Sequence, residues 1–258
     1  MSAIEDTAVR LRAAYAPGTP IAPIRDGFKD GDLESAYAIQ TANHRYWLGQ
    51  GRRLVGRKIG LTAKAMQKAW GVDHPMYGLM YADVDMSDGE IDMARFNQPR
   101  LEAEIALVLG RDLTLPRLTL AEIISAVDYA VAAFEIADSR IADWKFGMVD
   151  IIADNGANGG FVIGSNPRRI TDVDLCACSM TMYKNGAVAA MGTAAATVGN
   201  PLLALKWLAE TSAGTETPLR AGDVILTGSL GAIIPAAAGD VFDSHVLGLG
   251  SVRAVVSS

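Results

Sequence analysis

Two glutamates, Glu102 and Glu104, stand two residues apart near the start of the apolar run "RLEAEIALVL" at residues 100–109. In an extended chain alternate side chains share a face, so both carboxylates point the same way as Ala106 and Val108. Leu101, Ala103, Ile105, Leu107 and Leu109 take the other face. Like charges about 7 Å apart on a partly desolvated face repel, and each loses hydration, unless a cation or protons compensate. A third carboxylate, Glu135, sits inside the apolar run "VAAFEIADSR". One turn-helix-turn connection over residues 111–128 can lay this run beside the first and bring Glu135 against the pair. Three carboxylates without a nearby His or Cys form a hard oxygen site, suited to Mg²⁺ or Mn²⁺ rather than zinc or copper. The alternative is a wet edge strand carrying Glu102 and Glu104, with Glu135 packed against Arg100 or Arg140.

Lys58 in "VGRKIGLT" lies between Gly56 and Gly60, which leave room for a ligand or a second backbone. A lysine there binds a substrate carboxylate or, if desolvated, works as a general acid or base. The plainer reading is a solvated residue beside Arg52, Arg53 and Arg57. The glycine-rich stretches "DIIADNGANGG" and "ILTGSLGAIIP" follow apolar runs but lack phosphate-loop spacing, which argues against a nucleotide cofactor. His44, His74 and His245 stand in unrelated contexts, which argues against a Ser-His-Asp triad built on Ser139 or Ser229. Cys176 and Cys178 form a C-x-C pair that on a strand faces one way with Met180 and Met182. With no second cysteine pair this is a poor zinc site, and buried packing is expected.

The elements that must position these groups are of both kinds. Ile4, Ala8, Leu11 and Tyr15 fall at helical spacing and stop at "PGTP", and a second helix runs through "LESAYAIQTANHRYWLGQG". Short apolar runs with glycine punctuation then predict strands at 54–59, 101–109, 129–137, 160–163, 177–183, 223–227 and 251–256. Two helices interrupt them, one at the Thr119-x-x-Glu122 capping box and one at Asn200-Pro201. The order is mixed, not a regular βαβ alternation, so the fold class is α+β. We divide the chain into a helical N-terminal segment, residues 1–70, and a metal-binding catalytic domain, residues 71–258.

With 258 residues, half of them apolar, the chain can bury a sizeable core. A net charge of −6 and no run of Lys or Arg argue against a nucleic-acid surface. Glu5 and Asp6 stand where a signal peptide carries positive charge, and no apolar window is long enough to span a membrane, so a cytoplasmic protein with a small-molecule partner is expected.

The chain resembles the 2-hydroxypenta-2,4-dienoate (2-keto-4-pentenoate) hydratases of the wider fumarylacetoacetate hydrolase superfamily. The likeness covers nearly the whole length, through "IAPIRD", "ESAYAIQ", "QGRRLVGRKIGLT", "QPRLEAEIALVLGRDL", "DSRIADWKFGMVDIIADN", "GDVILTGSLG" and "GLGSV". It implies a mixed-β roll preceded by a helical segment, and a divalent ion, Mg²⁺ or Mn²⁺, held by an E-x-E pair and a later glutamate that match Glu102, Glu104 and Glu135. It further implies hydration of a 2-hydroxy-2,4-dienoate to a 4-hydroxy-2-oxo acid in aromatic meta-cleavage catabolism, by a homo-oligomer. Lys58 matches the family's active-site lysine, and Asp154 is expected to share the proton transfers. Met76, Asn155, Ser229 and Arg140 are expected to contact the substrate.

Two positions depart from the family pattern. Where the hydratases carry "PDYG" or "PDFG" this chain has Pro75-Met76-Tyr77-Gly78, and where they carry "GHP" it has Gly199-Asn200-Pro201. Met76 cannot transfer a proton. At that position the chain resembles the related 4-oxalocrotonate decarboxylases, for which an apolar wall favours loss of a carboxylate by desolvation. Decarboxylation is therefore the second expectation, and an inactive oxo-acid-binding or partner subunit the third.

Overall fold

The computed structural model describes residues 2–257; Met1 and Ser258, the outer ends of the two segments assigned above, lie outside them. Helix α1 (Ala3–Ala13) starts at a capping box in which the Ser2 hydroxyl accepts from Glu5 N and the Glu5 side chain reaches back to Ser2. Helix α2 (Leu33–Gly49) is capped by Asp32 and buries Ala36, Ile39, Gln40, Asn43, His44 and Trp47, one stripe at helical spacing. Among the described residues four further α-helices follow: α3 (Lys64–Ala69), α4 (Leu120–Ala126), α5 (Met148–Ala153) and α6 (Pro201–Ser212). The capping box at Thr119 and the Asn200 cap with Pro201 stand where the sequence places them. Among the described residues no helix is long and apolar enough to cross a membrane.

The strands form two sheets, so the chain is α+β. The first six are β1 (Leu54–Gly60), β2 (Met76–Tyr81), β3 (Arg100–Leu109), β4 (Val127–Ala137), β5 (Asn158–Ile163) and β6 (Ser179–Lys184). Then come β7 (Ala187–Thr193), β8 (Val224–Leu226), β9 (Ile234–Pro235), β10 (Val241–Val246) and β11 (Gly250–Val255). The larger sheet runs β2-β1-β8-β3-β4-β5, with β9 on β3; β1 and β8 pair in parallel and the other neighbours are antiparallel. Past β2 the chain returns to the far edge: Asp85 bridges Phe161 of β5, and Met86 N donates to Phe161 O at 2.9 Å. Edge thus meets edge and the sheet curls into a roll. The smaller sheet, β11-β10-β6-β7, packs against β4 and is antiparallel throughout.

The two faces of β3 read as the alternation requires. Leu101, Ala103, Ile105, Leu107 and Leu109 join the main core with Phe134, Met180, Met182, Phe242 and helix α6. Ala106 shares the opposite, inner face with Met80, Val131, Ala133, Phe161 and Leu226, a small apolar cluster beside the carboxylates. Gly56 is required by close approach: a Cβ there would stand 1.9 Å from Val224 O, so any side chain would wedge β1 from β8.

Several expectations are corrected. Strands β2, β7, β9 and β10 are not among those expected: β2 is buried at all six positions and so does not alternate, β9 has only two residues, and the apolar residues of β7 and β10 do not alternate over enough positions. The helix α3 is short, and α5 occupies "MVDIIA", the start of what reads as a glycine-rich loop. The strand expected from residue 177 starts at Ser179, since Asp174 caps a 3-10 turn at Leu175–Ala177. That turn breaks the alternation, so Cys178 is buried but Cys176 is exposed, contrary to the shared buried face expected of the pair. Strand β1, within residues 1–70, is an integral strand of the larger sheet.

Candidate metal centre

β3 and β4 pair with Glu102 directly opposite Glu135. Glu104, one step further along β3, faces the same way, and one oxygen from each of the three carboxylates falls within 4.8 Å of the others. Glu104 and Glu135 are fully buried; Glu102 retains access to solvent. On these sites the bare carboxylates are costly. Burial, and then the neighbouring Glu135, pushes Glu102 up to about 7, and the same causes with Glu102 added push Glu104 well above the carboxylate range.

Hydrogen bonds single out particular oxygens. Glu104 Oε2 accepts from Gly228 N at 2.8 Å, whereas its Oε1 has no partner. Glu135 Oε1 faces Lys58 Nζ at 3.0 Å and accepts from Asn158 Nδ2 at 3.3 Å, whereas its Oε2 has none. A buried carboxylate oxygen without a donor is expensive, and two of them within a cluster of three carboxylates on neighbouring strands fit a cation. Their hard oxygen chemistry suits Mg²⁺ or Mn²⁺.

Lys58, from β1, reaches over the same inner face and is 4% exposed, so it is not the solvated residue of the plainer reading. Burial alone would lower its pKa, but Glu135, Glu102 and Glu104 more than offset this and hold it above the usual lysine range. Met76, 1% exposed, closes over Gly60 near Lys58: a Cβ on Gly60 would stand 2.3 Å from Met76 Cε and 3.7 Å from Lys58 Nζ. Ser229 lies beside Glu102, its hydroxyl donating to Gly231 O at 2.9 Å.

The remaining expected site residues stand one layer behind. Arg140 and Asp154 form a buried ion pair, Nε to Oδ1 at 2.5 Å, and Asp154 Oδ2 accepts from Arg140 N and the Ser139 hydroxyl. Burial pushes Asp154 up to about 6 against the pull of Arg140. Asn155, in the left-handed region at φ 55°, pairs both ways with the backbone of Leu79, accepting at 2.7 Å and donating at 2.9 Å. Glu135 does not pack against either arginine named for it: Arg140 holds Asp154, and Arg100 stacks over Trp144 at 4.1 Å. Two residues were missed. Gly228 follows from the "TGS" turn only once its loop is laid on β3, and nothing in the sequence marks Asn158. The histidines stay apart, with His44 Nδ1 bonded to Tyr81 Oη at 2.9 Å and His74 Nδ1 to Pro75 O at 2.8 Å.

This curled sheet, with its carboxylates on adjacent antiparallel strands, defines a class of protein. The family model for the fumarylacetoacetate (FAA) hydrolase C-terminal region matches residues 56–257, and the chain belongs to that family. It is 50% identical over 254 residues to the 2-keto-4-pentenoate hydratase of Burkholderia vietnamiensis (strain G4 / LMG 22486), covering 98% of this chain and 97% of the relative. It is 49% identical over 252 residues to 2-keto-4-pentenoate hydratase 1 of Dechloromonas aromatica (strain RCB), covering 97% and 96%. Among solved structures, the 4-oxalocrotonate decarboxylase from Pseudomonas putida G7, complexed with magnesium and adipate, superposes with a TM-score of 0.93 at 32% identity, covering 98% of this chain and 97% of that one.

Proposed function

We propose that the protein is a metal-dependent hydratase that adds water to a 2-hydroxy-2,4-dienoate, through its 2-oxo-enoate form, to give a 4-hydroxy-2-oxo acid in aromatic meta-cleavage catabolism. The observation that carries the metal centre is the cluster of Glu102, Glu104 and Glu135 beside Lys58, in which two buried oxygens, Glu104 Oε1 and Glu135 Oε2, have no donor. The hydratase activity rests on relatives of that name at nearly full length. Glu102, Glu104 and Glu135 would hold Mg²⁺ or Mn²⁺, which when bound supplies Lewis acidity to the carboxylate and 2-oxygen end of the substrate. Lys58 Nζ donates and recovers a proton as the dienol becomes the oxo form, and Glu135 Oε1 keeps the ammonium in place. Ser229, at the solvent side, orients the incoming acid. Met76 forms an apolar wall that keeps bulk water from Lys58. Asp154 must release Arg140 or Ser139 to take a proton, so we assign it, with Arg140 and Asn155, to positioning rather than proton transfer. The protein works in the cytoplasm, as a homo-oligomer.

The apolar Met76 wall and the likeness to a decarboxylase favour a second reading, decarboxylation of a 4-oxalocrotonate-type acid. One experiment tests both: ultraviolet turnover and CO₂ release with 2-hydroxypentadienoate and, separately, with 4-oxalocrotonate. Loss of the dienoate absorbance without CO₂ is the expected result. CO₂ release without hydration defeats the first reading, and inertness toward both acids in metal-loaded protein leaves only a binding role.

A further inference from the structure

Glu135 can present either carboxylate oxygen to an ion, because the terminal torsion of a glutamate is broad and two-fold. In this chain only Oε2 is left free, and two donors on Oε1 make the difference. Lys58 is a flexible four-carbon stem with a point charge that follows either oxygen equally well. Asn158 is a short, planar donor that does not. Resting on the metal reading above, we infer that Asn158 is the positioning residue that fixes which oxygen of Glu135 meets the ion, and that the buried Arg140–Asp154 pair serves the site by holding Asn158.

The register of β4 and β5 makes this specific. Glu135 lies opposite Phe161 and Ile136 opposite Gly160, but Ala137 lies opposite Asn158, so Gly159 is skipped by a bulge. Residues directly opposite one another share a face, so without the bulge Asn158 would point away from Glu135. The bulge turns it onto the carboxylate's face. The skipped residue must be glycine, since a Cβ on Gly159 would stand 2.9 Å from Asp138 Cβ and 3.0 Å from Ile136 O. Arg140 then anchors the strand start: its Nη1 donates to Asn158 O at 3.0 Å, its Nη2 to Asp154 O at 2.5 Å, and its Nε to Asp154 Oδ1. Its flat face covers the Tyr15 ring at 4.2 Å. A guanidinium engaged in this many directions fixes position more firmly than a lysine can.

The test is a calorimetric titration of metal-stripped protein with Mn²⁺, without substrate, the wild type first. Asn158→Leu, which keeps the volume and removes the donor, is expected to weaken Mn²⁺ binding roughly 10- to 100-fold. The unfolding midpoint of the stripped variant should stay close to that of the wild type. Arg140→Lys keeps the charge opposite Asp154 but loses the bond to Asn158 O, and is expected to weaken binding in the same direction by less; it decides the matter if Asn158→Leu does not fold. Wild-type Mn²⁺ affinity in either folded variant overturns the inference. So does a loss of affinity matched by an equal loss of stability in the stripped protein, which would make Asn158 merely structural. A wild type that binds no Mn²⁺ defeats the metal reading itself, and the inference with it. None of these outcomes depends on whether the enzyme hydrates or decarboxylates.

Discussion

Lys58 is buried beside three carboxylates, with the Met76 methyl close by. Its proposed work begins only when substrate is present, so Lys58→Met should lower kcat/KM by about 100-fold or more, near 3 kcal/mol of transition-state stabilisation. Mn²⁺ affinity should hold or tighten, because the variant removes a positive charge from beside the cation while Asn158 still holds Glu135 Oε1. Steady-state rates beside a calorimetric titration read the two effects apart, and an unchanged kcat/KM returns Lys58 to a packing role. Met76 is the residue at which hydration and decarboxylation divide. In a hydratase, Met76→Asp restores a carboxylate beside Lys58 and should raise or preserve hydration. In a decarboxylase it solvates the apolar wall and repels the departing carboxylate, and CO₂ release should fall by roughly tenfold, about 1.4 kcal/mol. Paired assays of wild type and variant distinguish the two.

At the scale of elements, the site depends on strands held close enough for side chains on β1, β3 and β4 to converge. Gly56 lets β1 lie on β8, which in turn lies on β3. Gly56→Ala should therefore cost about 3 kcal/mol or more, at the upper end of overpacking effects, and should lower kcat/KM as Lys58 is displaced from Glu135. Gly49→Ala, at the exposed end of α2 where a Cβ meets nothing within 4 Å, is the matched control and should stabilise by about 0.5–1 kcal/mol. Urea denaturation of both variants checks the pair; equal stabilities would mean that β1 and β8 can part without consequence.

At the scale of the molecule, the roll encloses three clustered carboxylates, which on the proposed reading a divalent ion balances. Removing the ion with a chelator should abolish turnover and lower the melting temperature, and returning Mg²⁺ or Mn²⁺ should restore both; saturation at 100 times Kd contributes about 2.7 kcal/mol. Full activity after exhaustive chelation, verified by metal analysis, would remove the ion from the mechanism. Stability should also depend on pH through His44, which lies buried between α2 and the roll. Burial, and then the charge of Arg57, lowers its pKa below the ordinary value. The unfolded chain takes up that proton near pH ~6.5 and the folded chain only at lower pH, so stability is full above ~6.5 and declines as pH falls toward the folded value. Wild type should lose more stability than His44→Gln between neutral and mildly acid pH. Parallel losses in the two proteins would show that His44 titrates alike in the folded and unfolded chains.

Much of this protein was legible before it folded. The period-two spacing of Glu102 and Glu104, the apolar setting of Glu135 and the glycines around Lys58 are local facts, and local facts determined the candidate carboxylate cluster, the strands that carry it and the caps of α4 and α6. Long apolar runs such as β3 and β4 announced themselves, whereas β2, β7 and β10 carry too little alternation to stand apart from their loops. Tertiary structure alone decided which donor each carboxylate oxygen receives. That required the bulge that turns Asn158 inward, the loop that brings Gly228 N to Glu104, and the ion pair that joins Asp154 to Arg140. Hydrogen bonds between residues distant in the chain depend on register to within one residue, and a shift of one reverses every side chain, so composition and spacing cannot encode them.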